Sequence, residues 1–290
     1  MNRKLIYPSV ASLVVLMMGT MMGTHAQQPG SNAPYILPDG VKVVKGAFFI
    51  TSSYRFKEYK ELAAKHDLVL IQFIGPLAAY QKVLTQVAKD AKHPEIEHAN
   101  YICWGHSAGG VGVAKAADKL PERMIAGCII RSPNEKDEPK LEISKGMQKV
   151  PLILTPALRD GFVPVSAPTA LFERGRKEDA VWTLAIEPGG THAPEGATNI
   201  VVAWLDAVIK MRLPADADYA KGWLGDVKTF DVGAFDSFKG EKAKAAWLPN
   251  ETVAKQWKMY VSAAAKPGAG PKGPQPQPGG PKAQPGGPGA

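Results

Sequence analysis

At 290 residues, the chain has room for one large domain or two small ones. Its formal net charge is +8, but Arg3 and Lys4 near the start and Lys266, Lys272 and Lys282 near the end supply five of those charges, leaving +3 for residues 27–264. So mild a balance gives no ground for nucleic-acid binding.

Residues 1–26 pair a short basic start, Asn2-Arg3-Lys4, with an apolar run from Leu5 to Met22, then the small-residue pattern Thr24-His25-Ala26. This predicts a secretory leader cleaved before Gln27, and hence a secreted or periplasmic protein. The run approaches the ~20 residues that cross a bilayer, so an uncleaved anchor is the alternative; once the leader is removed, no transmembrane span is expected. From residue 43 to residue 209, apolar runs alternate with helical patterns. Strands are predicted at 44–50, 68–73, 101–104, 124–130, 151–155 and 180–186. Between them, Phe56, Tyr59, Leu62 and Ala63 mark a first helix, and Leu77, Tyr80, Val83, Leu84 and Val87 a second. Ala108 to Lys119 forms a small-residue helix, Ala167 to Lys177 another, and Ile200, Val201, Trp204, Leu205, Val208 and Ile209 the apolar face of a last one. Near-continuous apolar strands separated by helices predict a mostly parallel sheet of about six strands, flanked by helices on both faces. Ligands of such sheets bind at the carboxyl ends of the strands. Cys103 and Cys128 each lie inside an apolar run. They read as free thiols packed as small hydrophobes, although an exported chain has the option of joining them.

Residues 213–264 break the alternation. They carry Trp223, Trp247 and Trp257, and a helix start at Pro249-Asn250-Glu251-Thr252. They are expected to form an appendage packed by its tryptophans on a main domain spanning 27–212. Residues 265–290 contain Pro, Gly, Gln, Lys and Ala and nothing else. That composition cannot bury enough surface to order itself and predicts a disordered tail, with attachment to a surface or polymer as one use for it.

The stretch Tyr101-Ile-Cys-Trp-Gly-His-Ser-Ala-Gly-Gly110 sets Ser107 between glycines, at the end of a strand and the start of a helix. An isolated G-x-S-x-G arises by chance about 0.1 times in a chain of this composition, so its context decides. This context resembles the nucleophile elbow of the α/β-hydrolase superfamily, in a layout similar to small exported serine esterases of the dienelactone-hydrolase and feruloyl-esterase kind. A serine hydroxyl attacks only when exposed and paired with a base. A sharp turn lifts it clear, Gly105 and Gly109 leave room for that turn, and Gly110 and Gly112 are read as extending the slim surface.

The resemblance implies a triad in the order Ser, acid, His. Asp160 follows the fifth predicted strand and His192 the sixth, which makes them the expected acid and base. Glu135 and, behind it, Asp137 are the alternative acids, in the loop after the fourth strand. His66, His93 and His98 fall at the wrong edge or in the wrong order, and the ring of His106 is expected to turn away from its neighbour Ser107. The expected oxyanion donors are the N–H groups of Ala108 and Ser53, although Thr51-Ser52-Ser53-Tyr54 departs from the His-Gly that many relatives carry there. No metal-ligand spacing and no cofactor motif are present. The implied substrate is a carboxylic ester, small or polymer-linked; a peptidase of the same fold and a non-catalytic binding module tethered by its tail are the alternatives.

Overall fold

A computed structural model describes residues 34–51, 57–73, 75–132, 142–213 and 222–263. The leader, the tail, Ser53, Glu135 and Asp137 lie outside the described residues.

The main sheet has seven strands. They are β1 (Tyr35–Ile36), β2 (Gly46–Ile50), β3 (Leu68–Gln72), β4 (Tyr101–His106), β5 (Met124–Ile130), β6 (Leu152–Thr155) and β7 (Trp182–Leu184), in the order β1-β3-β2-β4-β5-β6-β7. Six run parallel, as their apolar sequences predict. Every residue of β2, β5, β6 and β7 is buried, because helices cover both faces and leave no side of the strand for polar residues. The crossings are made by α1 (Lys57–Lys65), α2 (Tyr80–Ala91), α3 (Ala108–Lys119), α4 (Lys145–Gln148) and α5 (Ser166–Lys177), with α6 (Thr198–Arg212) following β7. The seventh strand, β1, is antiparallel and pairs Tyr35 with Ile71 and Ile36 with Leu70. Cys103 and Cys128 are free and fully buried.

Beyond α6 the chain builds a unit that the sequence foreshadows only by its tryptophans and its last helix. Strands β8 (Trp223–Gly225), β9 (Val232–Ala234) and β10 (Ala246–Leu248) form a small antiparallel sheet, followed by α7 (Glu251–Val261). The Asn250 side chain caps α7 by accepting the Val253 N–H at 2.9 Å. Trp247 and Trp257 are buried to about 1% exposure or less, whereas Trp223 is half-buried. The unit is joined to the main domain by polar bonds as well as by ring packing. The Trp257 indole donates to the Leu184 carbonyl on the outer side of β7 at 2.7 Å. From α5, the buried Arg176 donates to the carbonyls of Ala245 and Lys242, each at 2.7 Å. Among the described residues, no helix is long and apolar enough to cross a membrane.

Candidate active site

Strand β4 ends at His106 and α3 begins at Ala108, so the single residue Ser107 makes the whole turn. Its backbone sits at φ 53°, ψ −126°, a conformation that a residue with a Cβ adopts only under strain. The turn is held from both sides: Ser107 N–H donates to the Ile130 carbonyl at 2.9 Å, and Gly110 N–H to the Ser107 carbonyl at 3.0 Å. Glycine is required at three surrounding positions. A Cβ on Gly105 would overlap the backbone of Gly109 and Gly110, one on Gly109 the Thr51 side chain, and one on Gly110 the Ser132 side chain. Gly112 differs from its predicted role: a Cβ there meets open space.

Asp160 follows β6 and His192 follows β7, and both come to Ser107. The Ser107 hydroxyl lies 3.1 Å from His192 Nε2, and His192 Nδ1 lies 2.9 Å from Asp160 Oδ2. The other carboxylate oxygen of Asp160 accepts the N–H groups of Phe162 at 2.8 Å and Val163 at 3.0 Å. Burial alone would raise the Asp160 pKa. The hydrogen bonds from His192, Val163 and Phe162 outweigh it and hold the carboxyl below its ordinary value. Asp160 is thus an anion that accepts the Nδ1 proton of His192 and leaves Nε2 free to accept from Ser107.

Ala108 is the first residue of α3, so its N–H has no carbonyl one turn back to bind and belongs to the positive end of the helix. Thr51, the last described residue before Ser53, donates through both N–H and Oγ1 to the Trp104 carbonyl, at 2.9 and 3.0 Å. That brings the start of the loop after β2 against the turn. The histidines set aside from the sequence have other surroundings. His66 bonds Asp206 at 2.8 Å and His93 bonds Glu95 at 2.8 Å, while His98 ends a short 3-10 turn. Among the described residues, no group of three His, Cys, Asp or Glu side chains is placed to hold a metal ion.

Sequence reasoning passed over two features of the site. The His106 ring packs on His192: its centre is 4.8 Å from that of His192, and Nε2 donates to the His192 carbonyl at 2.7 Å. Burial first, then the nearby His192 and Arg131, push the His106 pKa below the imidazole range despite that bond, so the ring is neutral at pH 7. The second feature is a charged pair beneath the loops. Arg131, directly after β5 and wholly buried, bonds the Glu187 carboxylate and the Thr155 carbonyl. The only hint of it in the sequence is an arginine closing an apolar strand.

Beside the site, Phe162 is 72% exposed with its ring centre 5.1 Å from that of His192. A cavity of about 370 Å³ opens between the two loops and the C-terminal unit. Leu158 and Pro188 line it on one side, and Phe230, Trp257 and Val261 on the other.

The single-residue strand-to-helix turn and the order Ser107, Asp160, His192 on the ends of β4, β6 and β7 of a mostly parallel sheet are those of the α/β-hydrolase fold. No family model and no curated protein matches the chain. Among solved structures, a monoacylglycerol lipase from Paleococcus ferrophilus is 13% identical with a TM-score of 0.44, over 61% of this chain and 100% of that one. Esterase PE8 is 14% identical with a TM-score of 0.44, over 61% and 98%. Est1E from Butyrivibrio proteoclasticus is 16% identical with a TM-score of 0.41, over 62% and 92%.

Proposed function

We propose that the protein is an exported serine hydrolase that cleaves carboxylic esters through an acyl-enzyme. One observation carries this function: the unbroken hydrogen-bonded series from the Ser107 hydroxyl through the His192 ring to the buried Asp160 carboxylate. As the ester carbonyl enters, Ser107 Oγ attacks its carbon while His192 Nε2 takes the hydroxyl proton. Asp160 stabilises the resulting imidazolium without itself accepting the proton. The oxyanion draws on the Ala108 N–H and, as the expected second donor, the Ser53 N–H. When the tetrahedral intermediate collapses, the C–O bond to the alcohol breaks and His192 returns its proton to the departing alkoxide. Water, deprotonated by His192, then attacks the acyl carbon; as the C–O bond to Ser107 Oγ breaks, His192 returns that proton to Oγ, and the acid leaves. The leader sequence supports export, with a mature protein beginning at Gln27.

The test is a fluorophosphonate probe and a panel of esters and peptides, applied to the wild type and Ser107→Ala. Labelling at Ser107, with ester turnover that falls by several orders of magnitude in Ser107→Ala, is expected, since a triad nucleophile contributes on the order of 10⁶ in rate where this has been dissected. Turnover of peptides in place of esters would move the assignment to a peptidase. Neither labelling nor turnover in the wild type would leave the binding-module alternative. Intact mass of the exported protein checks the Gln27 start.

A further inference from the structure

We propose that Glu187, held by Arg131 and Tyr260, is a positioning residue for His192, and that the C-terminal unit thereby supports the site. The proposal rests on the serine-hydrolase function above, because it concerns how that base is held.

Glu187 opens the loop that carries His192, and its side chain forms the centre of that loop. The carboxylate packs against Gly190 on one side of His192 and against Gly196 on the other, so closely that a Cβ on either glycine would overlap it. The loop thus folds around the Glu187 side chain, with His192 between the two glycines in the chain. The backbone of the same residue is bound to the loop that carries Asp160. Glu187 N–H donates to the Pro156 carbonyl at 2.9 Å, Leu158 N–H donates to the Glu187 carbonyl at 3.0 Å, and Arg159 N–H to the Gly190 carbonyl at 3.0 Å. Displacement of Glu187 therefore moves acid loop and histidine loop together relative to Ser107.

Two groups fix the carboxylate. Arg131 reaches it from the end of β5, spanning the ends of β5, β6 and β7 through its bonds to Thr155 and Glu187. Its backbone lies at φ 47°, in the left-handed region that a long side chain occupies only when its surroundings hold it there. Strain and complete burial at one residue, directly beneath the loops of the base and the acid, mark a tightly determined position. The second group is the Tyr260 hydroxyl of α7, which donates to the same carboxylate oxygen at 3.2 Å. Through this bond, a helix that follows His192 by some sixty residues reaches the loop of the base. Small displacements of a catalytic group lower turnover far more than affinity: about 1 Å is worth on the order of 10² in rate.

The experiment uses the full chain as wild type, Glu187→Gln and Tyr260→Phe. Complete labelling with a fluorophosphonate counts competent sites. The rate of labelling, together with kcat and KM for p-nitrophenyl acetate per labelled site, reports the Ser107–His192 pair. Glu187→Gln is expected to lower kcat and the labelling rate about 10²-fold, with KM within about twofold. Tyr260→Phe keeps the ring, removes one hydrogen bond to the carboxylate and is expected to lower kcat about three- to tenfold, again at constant KM and with full labelling. Should Glu187→Gln not fold, Tyr260→Phe decides alone. Fewer labelled sites with wild-type kcat at each would show a purely structural pair and overturn the proposal, while leaving the hydrolase function intact. A wild type that neither labels nor turns over esters would remove the hydrolase function and this proposal with it.

Discussion

Replacing Ser107 in two ways separates the strain of the turn from its chemistry. Ser107→Ala and Ser107→Gly both delete the hydroxyl and its bond to His192, so the two variants differ only by a Cβ at φ 53°, ψ −126°. Holding a residue with a Cβ in such a region costs about 1–3 kcal/mol. Against that relief, glycine gains about 0.4–1 kcal/mol of extra freedom in the unfolded chain, and the buried methyl of alanine is worth up to about 0.8 kcal/mol. The middle of these ranges leaves the glycine variant more stable by about 1 kcal/mol, or roughly 2–4 °C in Tm for a protein of this size. Urea titrations that share one m-value, with thermal melts beside them, measure the difference directly. A Ser107→Gly variant no more stable than Ser107→Ala would mean that the turn at Ser107 stores no strain.

The nearby glycines should divide sharply: Gly112→Ala, with open space around its new methyl, should stabilise by about 0.5–1 kcal/mol through helix propensity. Gly105→Ala, driven into the backbone of Gly109 and Gly110, should destabilise by about 3 kcal/mol or fail to fold; chemical denaturation of both reads this out. Burial pushes the Cys103 thiol up to about 12 and Cys128 well above its ordinary value, so a thiol reagent should modify neither in the native protein at pH 8 and both after unfolding. Asp206 is bonded by Lys210, Lys65 and His66; burial raises its pKa, but these partners outweigh that and depress it strongly. Because the folded value is the lower one, the stabilisation it contributes is present above about pH 4 and fades as the pH falls through the folded value. The stability gap between wild type and Asp206→Asn, up to about 1 kcal/mol, should therefore hold from pH 7 to 5 and shrink below pH 4.

The parts of this fold legible in the sequence are those that burial makes repetitive. The strand at 124–130 is a continuous apolar run because both of its faces are covered, and its observed limits coincide with that run. Asp160 and His192 were legible as candidates because the family resemblance orders acid and base after the serine and each follows a predicted strand; the folded chain brings both into one hydrogen-bonded series with Ser107. Strand β7 shortens to 182–184 from the 180–186 predicted, since the chain turns at Asp179 with φ 59° and only a short ladder forms against β6. The two residues of β1 and the three-residue strands Trp223–Gly225 and Val232–Ala234 are too short to carry a period. Arg131 and Glu187 stand 56 residues apart. Each looks like an ordinary polar residue closing an apolar run, and only the folded sheet brings them together.

Strand β7 is the last of the seven, and its far side is closed by side chains rather than by another strand. Trp257 takes the Leu184 carbonyl, and just before the strand Arg176 takes that of Ala180. An open strand there would offer hydrogen-bonding groups to a strand of any other molecule. The tryptophan and arginine act as stoppers against that addition, and the tryptophan arrives with the last described helix. A chain cut before residue 222 would keep Ser107, Asp160 and His192 yet expose this rim. Such a fragment is expected to self-associate through β7 rather than persist as a soluble, inactive monomer.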